Sequence, residues 1–314
     1  MTVYLLLRKC APKAIIRPAV RACLVLFLSA GCAVSGPGGL AIDGSDALYP
    51  PGTIVRPADC RAIDFDQLIA ELSAVSIVYV GERHSRAADH DIQLQIARAM
   101  HAESRKLCIG LEMVDHTYQK RLDQWSRGRI SESRFPGYIH WYANWKYDFA
   151  LYREIFRFIR QEKIRLVGLN IPPHIPPKIA VGGIDSLRSA ELSHLPDAID
   201  MSNEQHRDYV RKIFQHHKEQ RGFDSFSHFY AAQCVWEDTM AEAIVQNRGR
   251  CPMLVLAGTG HLRHRYGIPA RAYNREPAAY RIVLPLPAGR TVSPEIADYI
   301  WVTEPQESRH PPMP

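Results

Sequence analysis

The sequence lacks an excess of charge of one sign. Of its 314 residues, 39 are Lys or Arg and 33 are Asp or Glu, which gives a formal net charge of +6. The basic residues Arg8, Lys9, Lys13, Arg17 and Arg21 precede a short apolar run, so that the rest of the chain is close to neutral. A near-neutral domain has no electrostatic footprint for nucleic acid, and we expect no nucleic-acid partner.

Long apolar runs are also absent, and the N-terminal one is short. The run Cys23 to Ala30 is too short to span a bilayer and has the layout of a bacterial secretory signal over residues 1–31. It continues into Leu28-Ser29-Ala30-Gly31-Cys32, which resembles a lipobox. In that interpretation Cys32 is diacylated and becomes the first mature residue; the alternative is an ordinary cleaved signal with an incidental cysteine. Ala33 rather than Asp points, by analogy, to a lipid anchor in the outer membrane, facing the periplasm or the cell surface.

None of the seven cysteines shows the paired spacing of a zinc site. Beyond the signal and Cys32, four remain: Cys60, Cys108, Cys234 and Cys251. Cys108 stands in a predicted central strand, where we expect a small core residue. An exported compartment permits a disulfide, but the sequence alone does not choose a pair.

Composition divides the chain into segments. Residues 32–57 are rich in Gly and Pro and predict a flexible tether. Residues 58–304 have the length of a single α/β domain. The Pro-rich tail, residues 305–314, is expected to be disordered.

Short apolar runs without helical periodicity predict buried strands at residues 76–80, 107–113, 164–169 and 253–257. Helical spacing lies between them, which predicts parallel pairing with right-handed crossovers. The expected fold is therefore α/β, a mostly parallel central sheet with helices on both faces. A polar helical insertion at about 182–222 forms an excursion between the third and fourth core strands.

Three of these strands end in residues that carry chemistry. Gly81-Glu82-Arg83-His84 follows the first strand, Leu111-Glu112-Met113 ends the second, and Gly258-Thr259-Gly260-His261 follows the fourth. Ligands of open α/β sheets gather outside the carboxyl ends of the strands, so that His84, Glu112 and His261 are predicted to share one crevice.

Two interpretations of this crevice are open. With Glu82 added, it offers imidazoles and carboxylates that suit Zn²⁺ or Mn²⁺; a bound water would be acidified and a carboxylate could act as general base. Catalytic candidates are then Glu82, His84, Glu112 and His261. The alternative is that the glycines make tight turns while the polar side chains satisfy each other.

The ordered set of motifs resembles a known family. Together with the two Gly-x-x-His strand ends, Asp148-Phe149-Ala150-Leu151-Tyr152, Ala232-Gln233-Cys234-Val235-Trp236-Glu237-Asp238-Thr239-Met240-Ala241 and Ala257-Gly258-Thr259-Gly260-His261 are similar to the ChaN-like lipoproteins of the haem-binding uptake and Tiki superfamily. The resemblance implies an outer-membrane lipoprotein with haem held between two protomers, a tyrosine as iron ligand, and histidine and lysine near the propionates. The wider superfamily also implies metal-dependent proteases.

The polar excursion supplies the residue types that haem needs. Tyr209 with Lys212 falls at i, i+3 and with His216 at i, i+7, so that one helix face can carry all three. We predict Tyr209, Lys212, His216 and His217 as haem-binding residues, against the alternative of a solvated helix. Covalently attached haem is excluded, because the sequence has no Cys-x-x-Cys-His.

The sequence therefore predicts a membrane-anchored haem-binding lipoprotein of haem or iron uptake or storage. We expect it to form a homodimer when haem is bound and not to act as an enzyme. The alternative is a metal-dependent, protease-like hydrolase that uses the His/Glu crevice.

Overall fold

An eight-stranded sheet lies at the centre of the computed structural model, which describes residues 38–221, 224–249 and 251–305, without the side chains of residues 216–221. The predicted signal peptide, Cys32 and nearly all of the predicted tail lie outside these residues. Within the part that is described, none of the helices has both the length and the apolar character needed to cross a membrane.

The described strands follow one another along the chain as β1 (Leu40–Ile42), β2 (Leu48–Tyr49), β3 (Ile54–Arg56), β4 (Arg61–Ile63), β5 (Ile77–Glu82), β6 (Cys108–Asp115), β7 (Arg165–Asn170), β8 (Met253–Gly258), β9 (Tyr280–Pro287), β10 (Thr291–Val292) and β11 (Tyr299–Thr303).

The α-helices of the described residues are α1 (Phe65–Ser73), α2 (Ala87–Glu103), α3 (Gln119–Ser126), α4 (Phe135–Tyr138), α5 (Trp141–Asn144), α6 (Arg153–Gln161), α7 (Ile175–Gly182), α8 (Ser189–Leu192), α9 (Glu204–Arg221), α10 (Phe226–Arg248) and α11 (Ile268–Arg275). Short 3₁₀ turns at Phe149–Leu151, Thr259–His261 and Arg263–Arg265 complete the elements that matter for the site.

The large sheet has the strand order β4-β3-β11-β9-β5-β8-β6-β7, and all pairs from β11 to β7 are parallel. Strands β3 and β4 add an antiparallel edge. The four predicted core strands are confirmed as β5, β6, β7 and β8. Each is apolar on both faces because helices cover both sides of a parallel sheet.

Alternate residues of β5 show how the two faces are used. Val78 and Val80 pack into the core formed with α1, α2, α3 and α6, whereas Ile77 and Tyr79 pack into the core formed with α10 and α11. Helices therefore lie on both faces of the sheet, and the predicted fold class is confirmed.

The predicted excursion separates β7 from β8, as expected. Its apolar residues are few, and Leu187 packs with Ile179 of α7 and Val235 of α10 in a small separate core. Because α10 is apolar on several sides, it joins this appendage to the sheet.

Residues 38–57 differ from the flexible tether expected there. In this stretch β1 pairs with β10 and β2, and β3 pairs with β11 near the C-terminus. Leu40 and Val55 are fully buried. Partners about 250 residues away along the chain supply the apolar contacts and ladder hydrogen bonds that this Gly- and Pro-rich stretch cannot provide for itself.

A disulfide links Cys108 at the start of β6 to Cys251, just before β8, with a Cα–Cα distance of 5.7 Å. The sequence suggested that Cys108 is a small core residue. In the structure it is buried, but it is bonded in a disulfide. Cys60 and Cys234 are free. The bridge joins two adjacent parallel strands at their starts, across 143 residues of the chain.

We expect the Cys108→Ala/Cys251→Ala double variant to lose about 2–4 kcal/mol of unfolding free energy, because the bridge closes a long loop in the unfolded chain. Guanidinium denaturation measures this loss, with Cys60→Ala as the control for removing a free cysteine. The expectation fails if a reductant destabilises the wild type and the double variant equally.

Candidate functional site

The carboxyl ends of β5, β8 and β6 lie side by side at one edge of the sheet. Register places Glu82 opposite Gly258. A methyl group added to Gly258 would lie 2.7 Å from Cε1 of His84 and 3.3 Å from Oε2 of Glu112. Nε2 of His261 is 3.5 Å from Oε1 of Glu112. The structure thus brings His84, Glu112 and His261 into one crevice, and only a glycine at position 258 leaves room for it.

Glu82 orients the histidine at the mouth of this crevice. Its Oε1 lies 2.7 Å from Nδ1 of His84 and accepts a 2.6 Å hydrogen bond from the hydroxyl of Tyr152. Nε2 of His90 is 3.4 Å from its Oε2, close enough for attraction but not aligned as a hydrogen bond. Burial opposes ionisation, yet His84 and His90 hold the pKa of Glu82 at about 2. The carboxylate is therefore ionised at neutral pH.

His84 is the accessible member of the set, since about a quarter of its side chain is exposed. Burial lowers its pKa, but the hydrogen bond to Glu82 and the charge of Glu112 raise the pKa above its ordinary value. The rings of Trp145 and Tyr147 lie 4.8 and 4.9 Å from the imidazole and wall it on two sides.

Glu112 is fixed from three directions. The backbone N–H of Gly258 donates to its Oε2, and His261 faces its Oε1. The side-chain amide of Asn170, at the end of β7, donates to its main-chain oxygen at 2.7 Å. Burial opposes the charge, but His261, His84 and Gly258 lower the pKa of Glu112.

His261 is held between two carboxylates. Its Nδ1 lies 3.0 Å from Oε1 of Glu237 on α10, while its Nε2 faces Glu112. Burial lowers its pKa, but Glu112 and Glu237 outweigh burial and raise the pKa to about 10. His261 is therefore a buried imidazolium at neutral pH.

A network of charges continues behind Glu237. Its Oε2 is 3.0 Å from Nε2 of His206 and accepts from Nε of Arg271 at 3.2 Å. Arg271 also pairs with Asp238, which Arg275 contacts at 2.6 Å. Each buried charge has a partner of opposite sign, which keeps its burial tolerable.

Glu237 and Tyr152 are site residues that the sequence analysis missed, although both stand in motifs that carried the family resemblance. The available signal was the pair Glu237-Asp238 inside the apolar stretch of α10. Two adjacent acids cannot both avoid the core there, and both are buried.

The predicted metal ligands are engaged with one another instead. Both oxygens of Glu112 face donors, and Nδ1 of each histidine faces a further carboxylate. Among the residues that the structure describes, no three His, Cys, Asp or Glu side chains are arranged to hold a metal ion. The contacts fit a self-satisfied polar cluster better than a Zn²⁺ or Mn²⁺ site.

The predicted haem residue Tyr209 lies next to the crevice, at the same end of β8. Its hydroxyl is 3.4 Å from the carbonyl oxygen of Gly260. Its ring lies 6.3 Å from the rings of both His264 and Tyr266. Lys212 is exposed on the same helix and contributes to a lowered pKa of His264, which burial chiefly causes. The side chains of His216 and His217 lie outside the described residues.

An unpaired arginine adjoins Tyr209. Among the described residues Arg263 has no salt bridge, and its buried Nε has no hydrogen-bond partner. Burial lowers the pKa of Arg263; Tyr209 raises that pKa, while Arg290 and Arg83 lower it further. Arg263 was not predicted, because an arginine in a turn gives no sign in the sequence of being left without an anion.

The chain is similar in fold to ChaN of Campylobacter jejuni, whose structure is described as showing cofacial haem binding. The identity is 18%, the match covers 79% of this chain and 95% of that one, and the TM-score is 0.64. A mutant of the erythromycin esterase EreC in its open conformation matches at 17% identity over 75% of this chain and 76% of that one, with a TM-score of 0.45. No curated protein matches the sequence at a significant level.

The family model that describes the haem-binding uptake, Tiki superfamily, ChaN proteins matches residues 68–272. This range includes all three strand ends of the crevice, α10, and the helix that carries Tyr209. The chain therefore belongs to the ChaN family of the haem-binding uptake and Tiki superfamily.

Proposed function

We propose that this protein is a membrane-anchored haem-binding lipoprotein that takes part in haem or iron uptake or storage. In this proposal the haem iron binds Tyr209, and the haem is enclosed between two protomers. The observation that carries the proposal is a phenol beside an arginine that has no anionic partner among the described residues. Both lie at the carboxyl end of β8, in a chain of a haem-binding family.

Arg263 is the neighbour of Tyr209 that favours a tyrosinate ligand. Burial raises the pKa of the phenol, whereas the charge of Arg263 lowers it, and overall the pKa stays above its ordinary value. In the free protein the phenol is therefore neutral, and it would have to lose its proton to bind iron. Arg263 would reduce the cost of ionising the phenol, and a bound ferric iron would supply further positive charge to the phenolate.

The cations around Tyr209 suit the propionates of haem. Arg263 is partly buried and has no anionic partner in the part of the chain that the structure describes, so that a propionate placed beside it would form a charge-assisted hydrogen bond and neutralise it. Lys212 is exposed and reaches the same side of the helix. We assign the propionates to these two cations; His216 and His217 stay predicted partners.

Two protomers would together enclose a large flat ligand. The related Campylobacter structure is described as binding haem cofacially, and two haems stacked face to face fit a pocket closed by a second copy of the chain. The lipobox-like run ending at Cys32 supports an anchor in the outer membrane.

Titration of the purified protein with hemin is expected to give a saturable Soret change with the spectrum of tyrosinate-ligated ferric haem. Tyr209→Phe should lose that spectrum and weaken binding at least about tenfold, because the phenolate is the only iron ligand assigned. Tyr273→Phe removes a hydroxyl from an exposed tyrosine, 47% accessible, and is the matched control.

Arg263→Gln should weaken binding while the tyrosinate spectrum persists, since its role is to pair with a propionate. An unchanged spectrum and affinity in Tyr209→Phe contradicts the assigned ligand. Sizing of the same samples tests the second protomer: the protein should become dimeric as hemin saturates, and a persistent monomer at saturation contradicts the shared pocket.

The lipid anchor predicts that metabolically supplied radioactive palmitate labels the protein in a bacterial host and that the label follows the outer-membrane fraction. Cys32→Ala should abolish labelling, whereas Cys60→Ala, which removes a free thiol, should not. Equal labelling of Cys32→Ala and wild type rules out the anchor at this position.

A second function, a hydrolase, is favoured by one contact. Glu82 holds Nδ1 of His84 at 2.7 Å, which leaves Nε2 toward the crevice, as in a general base oriented by a carboxylate. Because the side chains do not fit a metal ion, the activity we consider is hydrolysis in which His84 alone takes the proton from water.

Hydrolysis of p-nitrophenyl acetate tests this second function. His84→Asn should reduce the rate roughly 100-fold, the usual contribution of a general base. In Glu82→Gln the pKa of His84 should fall, because the raising charge is lost, and the rising limb of the pH–rate profile should move to lower pH. His174→Asn, at an imidazole that is 61% exposed, is the control. No turnover above the uncatalysed background in wild type, or equal rates in His84→Asn and His174→Asn, removes the hydrolase.

A further inference from the structure

Two histidines that are 78 residues apart in the chain hydrogen-bond each other directly. His116 begins a short 3₁₀ turn immediately after β6, and His194 follows α8 in the polar excursion. Nε2 of His116 lies 3.0 Å from Nδ1 of His194, and the ring centroids are 5.2 Å apart. Both side chains are half-buried. This contact, the His116–His194 pair, is therefore one point at which the excursion is attached to the sheet.

The pair depends on the protonation of its rings. One nitrogen donates its N–H and the other must accept with a lone pair, so that at least one of the two rings has to be neutral. When both rings carry a second proton, two N–H groups and two positive charges face each other. The excursion supplies a carboxylate, Glu191 on α8, but this carboxylate is engaged by Lys178 and His174. The pair is therefore stable only while one ring stays unprotonated.

The surroundings of His116 favour the neutral ring. Burial and the charge of His194 lower its pKa. Asp115 at the end of β6, the main chain of Asn170 at the end of β7 and Glu242 on α10 raise the pKa, but the balance leaves it below its ordinary value. The contribution of the pair to stability is therefore present above about pH 6.5 and is lost as the pH falls through the lowered pKa.

Glu242 offers an alternative partner for the charged ring. Its Oε1 accepts a hydrogen bond from the N–H of Asp197 at 3.0 Å, three residues after His194. The charge of the same carboxylate acts on His116. A protonated His116 is repelled by His194 and attracted by Glu242, so that it competes with Asp197 for this carboxylate. The two protonation states of His116 therefore favour two different sets of contacts.

We propose that the His116–His194 pair is a pH switch: when both rings are protonated the pair separates, and residues 193–197 detach from the end of β6 and from α10. One neutral ring keeps the switch closed at neutral pH. Protonation opens it, because the repulsion between the rings and the attraction of His116 to Glu242 act in the same direction.

The switch adjoins the crevice and leaves the haem site in place. The side-chain amide of Asn170 donates to the main-chain oxygen of Glu112 at 2.7 Å, and the main chain of Asn170 acts on His116. We therefore expect acid opening on the β7 side of the crevice. Further along the excursion, the N–H and the carbonyl oxygen of Asp200 are held from α10 and α11. The opening ends there, so that it is independent of the haem proposal at Tyr209.

Amide hydrogen exchange of the purified chain at about pH 7.5 and about pH 5, corrected for the intrinsic pH dependence of exchange, tests the switch. The N–H groups of residues 193–195 and of Asp197 are hydrogen-bonded in the structure. They should exchange at least about tenfold faster at the acid pH, because two charges in contact oppose closure. Strand β8 should keep its protection. Equal protection of residues 193–197 at both pH values, or an equal loss of protection in β8, overturns the proposal.

His194→Asn keeps a side-chain donor for Nε2 of His116 but cannot take up a charge. The acid-induced rise in exchange should disappear, and the pKa of His116, followed in ¹⁵N spectra of the histidines, should rise because the repelling charge is lost. His174→Asn removes an imidazole that is 61% exposed in the same region and should behave like wild type in both measurements.

A His194→Asn variant that retains the wild-type pH dependence contradicts the switch, and so does a His174→Asn variant that loses it. The exchange experiment on the wild type decides the question alone if His194→Asn does not fold.

Discussion

The burial of Glu112 at the end of β6 is tolerated only because the N–H of Gly258 and the imidazolium of His261 face its two oxygens. An isolated carboxylate in this position would cost several kcal/mol. The same condition applies to Glu82 and Glu237, which are 1% exposed. Each of the three carboxylates is paired with at least one histidine. The arrangement of the strand ends therefore follows from the need to compensate three buried negative charges.

This requirement connects elements that are distant in the chain. Glu237 joins α10 to the end of β8 through His261, and Arg271 joins α11 to α10 through Asp238. On the face covered by α10 and α11 the polar network therefore adds to the apolar packing of the core. Loss of a single partner leaves an uncompensated charge in the interior, which is costlier than loss of a methyl group.

The sequence was sufficient for the core strands and for the crevice. A strand that is buried on both faces is a continuous apolar run without alternation of polar residues, so that runs such as residues 253–257 are recognisable as core strands. Parallel pairing then brings the carboxyl ends of these strands together. The sequence was insufficient to predict the environment of a residue whose contacts come from a distant segment of the chain. Leu40 and Val55 looked like part of a tether until paired with strands near the C-terminus, and Cys108 could not be assigned to Cys251 by spacing. That Arg263 has no anionic partner among the described residues is a property of packing, which no local pattern encodes.

The turn that ends β8 has a consequence for how variants of this protein can be interpreted. Gly258 holds Glu112 through its amide, Gly260 accepts the hydroxyl of Tyr209 through its carbonyl, and His261 supplies the imidazolium. Residues 258–261 thus contact both the buried carboxylate of Glu112 and the phenol of Tyr209 through one short piece of backbone. A substitution within the turn displaces both, so its phenotype cannot be attributed to either. Genetic separation of the two chemistries has to begin from side chains outside the turn, at His84 and at Tyr209.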